Sequence, residues 1–233
     1  MELCDRPDAV QVSERLIATL HALSDRLDGR LALVSGRAIE VLDEFGLTGL
    51  AAAGSHGSEW RLAGGEREYL PRPAGLDVAQ QQFATFAETA DGLLFEDKPL
   101  GAALHYRRAP GMRDAAHDLA RRLADGHQLH LQHGHDMVEL RVPGVDKGTA
   151  IGELLKLSPF SGYRPVFLGD DVTDEDGFEA VESAGGKAIL VGPPRDTHAS
   201  FRLSGVGAVN EWLARSLQSH APEGAERTTG GMP

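Results

Sequence analysis

Three carboxylates behind a short apolar run are the residues of this sequence best suited to chemistry. Asp170, Asp171 and Asp174 follow the run 166–168 and one glycine. The run is typical of a buried strand, and open parallel α/β sheets bind ligands outside the carboxyl ends of their strands. Clustered hard oxygen ligands suit Mg²⁺ better than a soft transition metal. The alternative is an acidic helix N-terminus stabilised by the helix dipole; we favour a magnesium site.

Two further positions are suited to binding phosphate. Ser35 and Arg37 lie where an apolar strand ends and a helix begins, so a hydroxyl, a guanidinium and free backbone amides meet there. The alternative is that Ser35 only caps the helix. Lys147 begins another helix, where the dipole disfavours a cation. We expect Lys147 to neutralise a phosphoryl group or to hold a carboxylate ionised, and a solvated lysine is the alternative.

A third group of polar residues lies on or beside predicted strands, where alternation can aim several side chains at one surface. A ligand with many hydroxyl groups needs such an array. Ordinary surface charge is the alternative for any single member. The candidates are His56, Glu59, Glu96, Lys98, His105, Arg107, Glu139 and Arg141.

The elements that carry the Ser35, Lys147 and Asp170 positions alternate between helix and strand. Apolar spacing predicts helices over 10–27, 38–45, 147–157, 174–183 and 206–217, and strands over 31–34, 50–53, 166–168 and 187–191. Short connections between such elements are typical of a parallel, doubly wound α/β sheet.

The middle of the chain has a different pattern. It predicts a hairpin over 58–70, helices over 78–90 and 113–125, and strands over 93–96, 102–107, 129–132 and 137–142. We therefore predict a Rossmann-like α/β core in two pieces, 1–65 and 147–218, with an inserted α+β cap over 66–146. The segment 219–233 lacks apolar periodicity, and we expect it to be disordered.

Composition limits the possible partners. The 233 residues are 41% hydrophobic and carry a net charge of −12, which argues against a nucleic-acid partner. The single cysteine, Cys4, excludes an internal disulfide and fits a reducing compartment. The sequence contains no apolar run long enough for a membrane span and no signal peptide plan. We expect a cytoplasmic monomer that binds a small molecule.

Five motifs, in order, resemble the trehalose-6-phosphate phosphatase family of the haloacid-dehalogenase-like superfamily. They are Leu-Val-Ser-Gly-Arg, Ala-Gly-Ser-His-Gly-Ser-Glu, Leu-His-Tyr-Arg, Val-Glu-Leu-Arg-Val-Pro-Gly-Val-Asp-Lys-Gly-Thr-Ala and Phe-Leu-Gly-Asp-Asp-Val-Thr-Asp-Glu. The similarity runs from about residue 5 to residue 217. It implies a Rossmann-like core with a C2-type cap and the Mg²⁺-dependent hydrolysis of trehalose 6-phosphate to trehalose and phosphate.

The resemblance also implies residue roles. Ser35 would hydrogen-bond the phosphoryl oxygens, and Lys147 would stabilise the pentavalent charge. Asp170 would bind Mg²⁺ directly, with Asp171 and Asp174 as further ligands or holders of its water. The cap and its approach would hold the trehalose hydroxyls through Lys98, Arg107, Glu139, His56 and Glu59.

One family motif is absent from the sequence. Asp-x-Asp-Gly-Thr, which supplies the nucleophile and the acid/base on the first core strand, does not occur, and the only Asp-x-Asp is Asp174-Glu175-Asp176. We therefore predict that the chain as written is inactive and that its first core strand is missing. We expect a start codon assigned too far downstream. The alternatives are a non-catalytic sugar-phosphate-binding protein and a phosphatase for another sugar phosphate.

Overall fold

Two sets of parallel strands form the centre of the protein, as described by a computed structural model over residues 12–218. The first sheet has the order β1-β2-β3-β4, with β1 and β2 parallel and the rest antiparallel. The second has the order β11-β10-β9 and is entirely parallel. The strands are β1 (Ala32–Val34), β2 (Ala51–Gly54), β3 (Glu59–Arg61), β4 (Glu68–Tyr69), β9 (Val166–Gly169), β10 (Lys187–Val191) and β11 (Phe201–Leu203).

Helices flank these strands: α1 (Glu14–Arg26), α2 (Ile39–Leu42), α5 (Lys147–Leu154), α6 (Glu175–Ser183) and α7 (Val206–Gln218). A π-helical turn over Asp43–Leu47 continues α2. Caps fix where two of the helices begin. The side chain of Ser13 accepts from the amide of Leu16 in α1, and Asp146 and Thr149 form a reciprocal capping box at the start of α5.

Helix α5 packs against both sets of strands. Its Ile151 lies in an apolar cluster with Phe178 of α6, and Val34 of β1 and Phe167 of β9 pack against that cluster. Within residues 12–218, β1 and β9 each lie at the edge of their sheet, so no strand ladder joins the two sheets. Side-chain packing through α5 is therefore one of the connections between them.

The segment between the two core pieces forms an antiparallel sheet of order β5-β6-β8-β7. Its elements are α3 (Leu76–Ala87), β5 (Leu94–Lys98), β6 (Gly101–His105), α4 (Arg113–His127), β7 (His130–Gly134) and β8 (Met137–Arg141). Alternate residues such as Leu104 and Leu140 face the helices and are fully buried with Phe83 of α3. The opposite face of the sheet is left for polar side chains.

Most elements agree with the sequence prediction, with ends shifted by a few residues. Strand β11 was not predicted, because three residues with two exposed side chains give too short an alternation to recognise. The predicted disordered tail, 219–233, lies outside the described residues, and the domain boundaries at 66 and 146 stay predictions. Along the part of the chain that the structure describes, no helix is long and apolar enough to cross a membrane.

Candidate active site

The acid loop, residues 170–174, connects β9 to α6 and is organised by one buried carboxylate. Asp174 Oδ2 accepts hydrogen bonds from the amides of Asp170, at 2.8 Å, and Asp171, at 2.9 Å. Asp171 Oδ1 accepts from the amide of Val172 at 2.7 Å. Asp174 is 4% exposed, whereas Asp170 and Asp171 remain exposed. Asp174 therefore fixes the loop from within, and Asp170 and Asp171 face outward.

Lys147 joins this loop to the core. Its Nζ lies 2.5 Å from Asp174 Oδ1, with the two side chains 11% and 5% exposed. The capping box at Asp146 begins α5 immediately before Lys147 and so sets the direction of its side chain. The lysine is therefore paired with a buried carboxylate of the acid loop, and its role toward a phosphoryl group stays a prediction.

The Ser35 corner, residues 35–37, lies at the carboxyl end of β1. Ser35 Oγ accepts from the amide of Arg37 at 3.0 Å within this turn, whereas the N-cap of α2 is Ala38, which makes no side-chain cap. Backbone bonds from Ser55 to the Arg37 carbonyl and from His56 to the Ser35 carbonyl, both 2.9 Å, hold the corner to the end of β2. The corner is therefore a fixed turn, and its guanidinium is half-buried.

His56 lies directly over this corner. Its backbone has φ of 59°, and a Cβ at Gly36 would approach its ring to 2.7 Å, so only glycine leaves room for the ring at position 36. Burial, followed by the charges of Arg141, Lys98, Lys147 and His130, lowers the pKa of His56 from 6.5 to about 3. The imidazole is therefore neutral at physiological pH and has cationic side chains around it.

Glu59 lies inside the protein, between the start of α2 and the end of β2. It is 1% exposed, and its Oε1 accepts from the Ile39 amide at 3.1 Å and from Ser55 Oγ at 2.8 Å. The Ile39 amide is an otherwise free donor at the start of α2. These contacts tie Glu59 to α2 and to the residue before His56, and the substrate-contact role foreseen for Glu59 stays a prediction.

Six charged or titratable side chains occupy the polar face of the cap sheet. Strand register places Glu96 opposite Ala103 and Ala103 opposite Glu139, and alternation brings the others to the same face. Lys98 Nζ lies 2.9 Å from Glu139 Oε1 and 4.0 Å from Glu96 Oε1, and His105 Nε2 lies 2.9 Å from Glu96 Oε2. His130 of β7 pairs with Arg141, so the polar face consists of Glu96, Lys98, His105, His130, Glu139 and Arg141.

Electrostatics connect the polar face to the core. The hydrogen bond from His105 is the main cause that lowers the pKa of Glu96; burial opposes it, and the charges of Lys98, His105 and Arg37 add to the lowering. Burial lowers the pKa of Arg141, and its Nη1 donates to the Val145 carbonyl. Arg37 and His56 of the core thus interact with charges of the cap, so the polar face and the Ser35 corner border one site.

Arg107 is placed differently from the other cap candidates. It follows β6, its side chain is 42% exposed, and its Nε lies 3.4 Å from Asp136 Oδ2. The sequence interpretation missed Arg195, whose Nη2 donates to the Asp171 carbonyl at 2.9 Å. Arg195 lies in a proline-rich loop between β10 and β11, where no apolar periodicity indicates which residue its side chain contacts.

The acid loop presents oxygen donors of the kind that a hard divalent metal prefers. Within residues 12–218, no three His, Cys, Asp or Glu side chains form a group that could hold a metal ion by themselves. The oxygens of Asp174 are taken by Lys147 and two amides. Partial burial of its carboxyl, and then the charges of Asp174 and Asp171, raise the pKa of Asp170. Asp170 and Asp171 therefore fit part of a Mg²⁺ coordination sphere.

These features define a class of α/β protein in which a Ser follows one core strand, a Lys begins a helix, an acid loop follows another core strand, and an antiparallel sheet with two helices lies between the two core pieces. A haloacid dehalogenase-like hydrolase from Bacteroides thetaiotaomicron superposes with a TM-score of 0.64 at 15% identity, over 88% of this chain and 93% of that chain. The predicted fold class is confirmed.

Within that class the chain belongs to the trehalose-phosphatase family, whose model matches residues 1–206. It is 39% identical to the trehalose-6-phosphate phosphatase of Escherichia coli K12 over 216 residues, which cover 91% of this chain and 80% of that protein. The C-terminal domain of C. albicans trehalose-6-phosphate phosphatase has a TM-score of 0.75 at 22% identity, over 93% of this chain and 88% of that chain.

Proposed function

We propose that this protein recognises trehalose 6-phosphate and that its family activity is the hydrolysis of this ester to trehalose and phosphate. The observation that carries the proposal is the set of cations around His56. Lys98 and Arg141 come from the cap, and Lys147 comes from the core. A sugar phosphate bound among these side chains would place its phosphate against positive charge and its sugar against the polar face.

The phosphate end is assigned to Ser35, Arg37 and Lys147. Arg37 and Lys147 supply positive charge, and the corner supplies the Ser35 hydroxyl. Lys147 is held against Asp174, so its ammonium is oriented before a ligand arrives.

The sugar end is assigned to the polar face. Lys98 and Arg141 can donate to hydroxyl oxygens, and Glu96 and Glu139 can accept from hydroxyl groups. The ion pair of Lys98 with Glu139 aligns both side chains before a sugar binds. His56 completes the border with the core, where its uncharged ring can donate to or accept from a hydroxyl group.

Magnesium is assigned to the acid loop, with Asp170 as a direct ligand and Asp171 as a second ligand or a holder of bound water. When bound, the ion would neutralise charge on the phosphoryl oxygens. Asp174 is assigned to orienting the loop and Lys147, because both of its oxygens already accept hydrogen bonds.

The nucleophile of the family chemistry is not among these residues. The only Asp-x-Asp in the 233 residues is Asp174-Glu175-Asp176, which spans the end of the acid loop and the start of α6. We therefore propose that the chain as written binds the sugar phosphate without releasing phosphate.

Isothermal titration calorimetry of the 233-residue protein with trehalose 6-phosphate, run with a parallel phosphate-release assay, tests the proposal. We expect saturable binding that Lys98→Met weakens by about tenfold or more, because a charge-assisted bond is lost. Lys156→Met is the matched control, since that lysine makes only an exposed ion pair on the core surface, with side chains 69% and 72% exposed.

Three results would contradict parts of the proposal. Equal affinity for glucose 6-phosphate, sucrose 6-phosphate and trehalose 6-phosphate would overturn the substrate assignment. Binding unchanged by Lys98→Met would overturn the role of the polar face. Phosphate release by the 233 residues would refute the claim that they lack the nucleophile.

A further inference from the structure

The hairpin turn that carries Lys98 is not of a type that suits a two-residue hairpin. Lys98 and Gly101 are the last paired residues of β5 and β6, so Pro99 and Leu100 alone form the turn. Two-residue hairpins favour turns with positive φ, because those turns match the twist of the strands. Neither Pro99 nor Leu100 has a positive φ. The turn therefore depends on contacts from outside the hairpin.

Gln80 of α3 supplies those contacts. Its Nε2 donates to the carbonyl oxygens of Lys98, at 2.8 Å, and Gly101, at 3.0 Å, and to Asp97 Oδ1, at 2.6 Å. Since the amide has only two N–H groups for three oxygens, one group is shared. The contacts span both ends of the turn and hold the backbone of Lys98 directly.

Arg72 fixes the orientation of this amide. Its Nη2 donates to Gln80 Oε1 at 2.6 Å and to Asp77 Oδ1 at 2.6 Å, and its Nη1 donates to the Pro99 carbonyl. Reversing the amide would place its oxygen against three acceptor oxygens and its NH₂ against a guanidinium. One orientation of Gln80 is therefore strongly favoured, and the carbonyls around the turn receive donors from Gln80 and Arg72.

We propose that Gln80 is a positioning residue for the sugar end of the site, acting through Lys98. The Lys98 carbonyl is fixed by Gln80 on one side, and the Lys98 ammonium reaches Glu139 on the polar face at 2.9 Å. Loss of the amide donors loosens the turn and moves the ammonium relative to Glu139. This inference rests on the proposed function, since it requires Lys98 to contact the sugar.

The test uses Gln80→Glu, which keeps the size of the side chain and turns the donor into an acceptor that faces three oxygens. Gln82→Glu is the matched control, because it adds the same charge to the same helix at an exposed position. We expect Gln80→Glu to weaken trehalose 6-phosphate binding by about threefold to tenfold in calorimetry and Gln82→Glu to leave it unchanged.

Two further measurements separate positioning from general loss of structure. Affinity for inorganic phosphate, which needs only the phosphate end, should be the same in wild type and Gln80→Glu. In a Lys98→Met background, Gln80→Glu should add no further loss, because the two residues act as one unit. If Gln80→Glu does not fold, Gln80→Leu carries the same expectations without added charge.

The outcomes distinguish this inference from the proposed function. Absence of trehalose 6-phosphate binding by wild type overturns the proposed function, and the inference with it. Wild-type binding that Gln80→Glu leaves unchanged overturns the inference alone. Full additivity of the Gln80 and Lys98 substitutions, or an equal loss of phosphate affinity, also overturns the role of Gln80 as a positioning residue.

Discussion

The buried imidazole of His56 makes a quantitative prediction about stability and pH. Its pKa is lowered from 6.5 to about 3 in the folded protein, so the unfolded chain binds a proton there at a pH where the folded protein does not. Stability from this group is therefore complete above about pH 6.5 and is lost as the pH falls below that value. At pH 5, about 1.5 units below the pKa of His56 in the unfolded chain, protonation stabilises the unfolded state by about 2 kcal/mol relative to the folded state.

The assay is urea unfolding at pH 7.5 and at pH 5, followed by tryptophan fluorescence. The substitution is His56→Asn, because asparagine tolerates the positive φ at this position and does not titrate. Wild type should lose about 2 kcal/mol more than His56→Asn between the two pH values, since the other titrating groups cancel in the comparison. His135→Asn is the control, because the His135 side chain is 86% exposed and should not change the pH dependence.

A second measurement on the unsubstituted protein avoids any effect of the mutation on folding. In NMR spectra of the ring nitrogens, His56 should remain neutral at pH 5. A wild-type ring that titrates near pH 6.5, or parallel stability curves for wild type and His56→Asn, would show that burial and the neighbouring cations do not act on His56 as argued.

Two other predictions concern stability and use paired variants on α5 or directly after it. Lys147→Met should destabilise the fold by about 3–5 kcal/mol in urea unfolding, because it leaves a buried carboxylate without its cation. The control Lys156→Met removes an exposed lysine and should change stability by less than about 0.5 kcal/mol. Equal effects of the two substitutions would refute the importance of the buried pair. Gly148→Ala should cost about 1–3 kcal/mol, because its Cβ would lie 2.4 Å from the Asp176 carbonyl oxygen of α6, while Gly152→Ala meets open space and should be neutral or stabilising. Urea unfolding would contradict this packing if the two glycine variants were indistinguishable.

The sequence predicted well those parts of the site that depend on periodicity. Alternation over 137–142 was enough to place Glu139 and Arg141 on a strand, whereas the predicted strand 93–96 ended before Lys98, which the structure adds to β5 and brings to the same face. The Ser35 and Asp170 positions follow strands, and strand ends are recognisable from apolar runs bounded by glycine. These arguments need only local pattern.

The parts that sequence patterns could not give depend on which polar side chain meets which partner. From the sequence alone, Glu59 could be an ordinary surface carboxylate. In the structure it is buried, because the start of α2 needs an acceptor there. Asp174 belongs to the same aspartate cluster as Asp170 and looks equally available in the sequence. Only the folded loop shows that its carboxylate already accepts hydrogen bonds from backbone amides. Gln80 gives no signal at all, because glutamine is ordinary on a helix surface.

The packing of α5 against two sheets that share no ladder within residues 12–218 has a consequence for local unfolding. Amide protons of β1 and β9 are not protected by each other, so each sheet can open as its own cooperative unit while the other stays closed. A fluctuation that frees α5 would release Val34 and Phe167 together and separate the Ser35 corner from the acid loop. Hydrogen exchange should therefore show α5 as the segment whose opening limits exchange in both halves of the site.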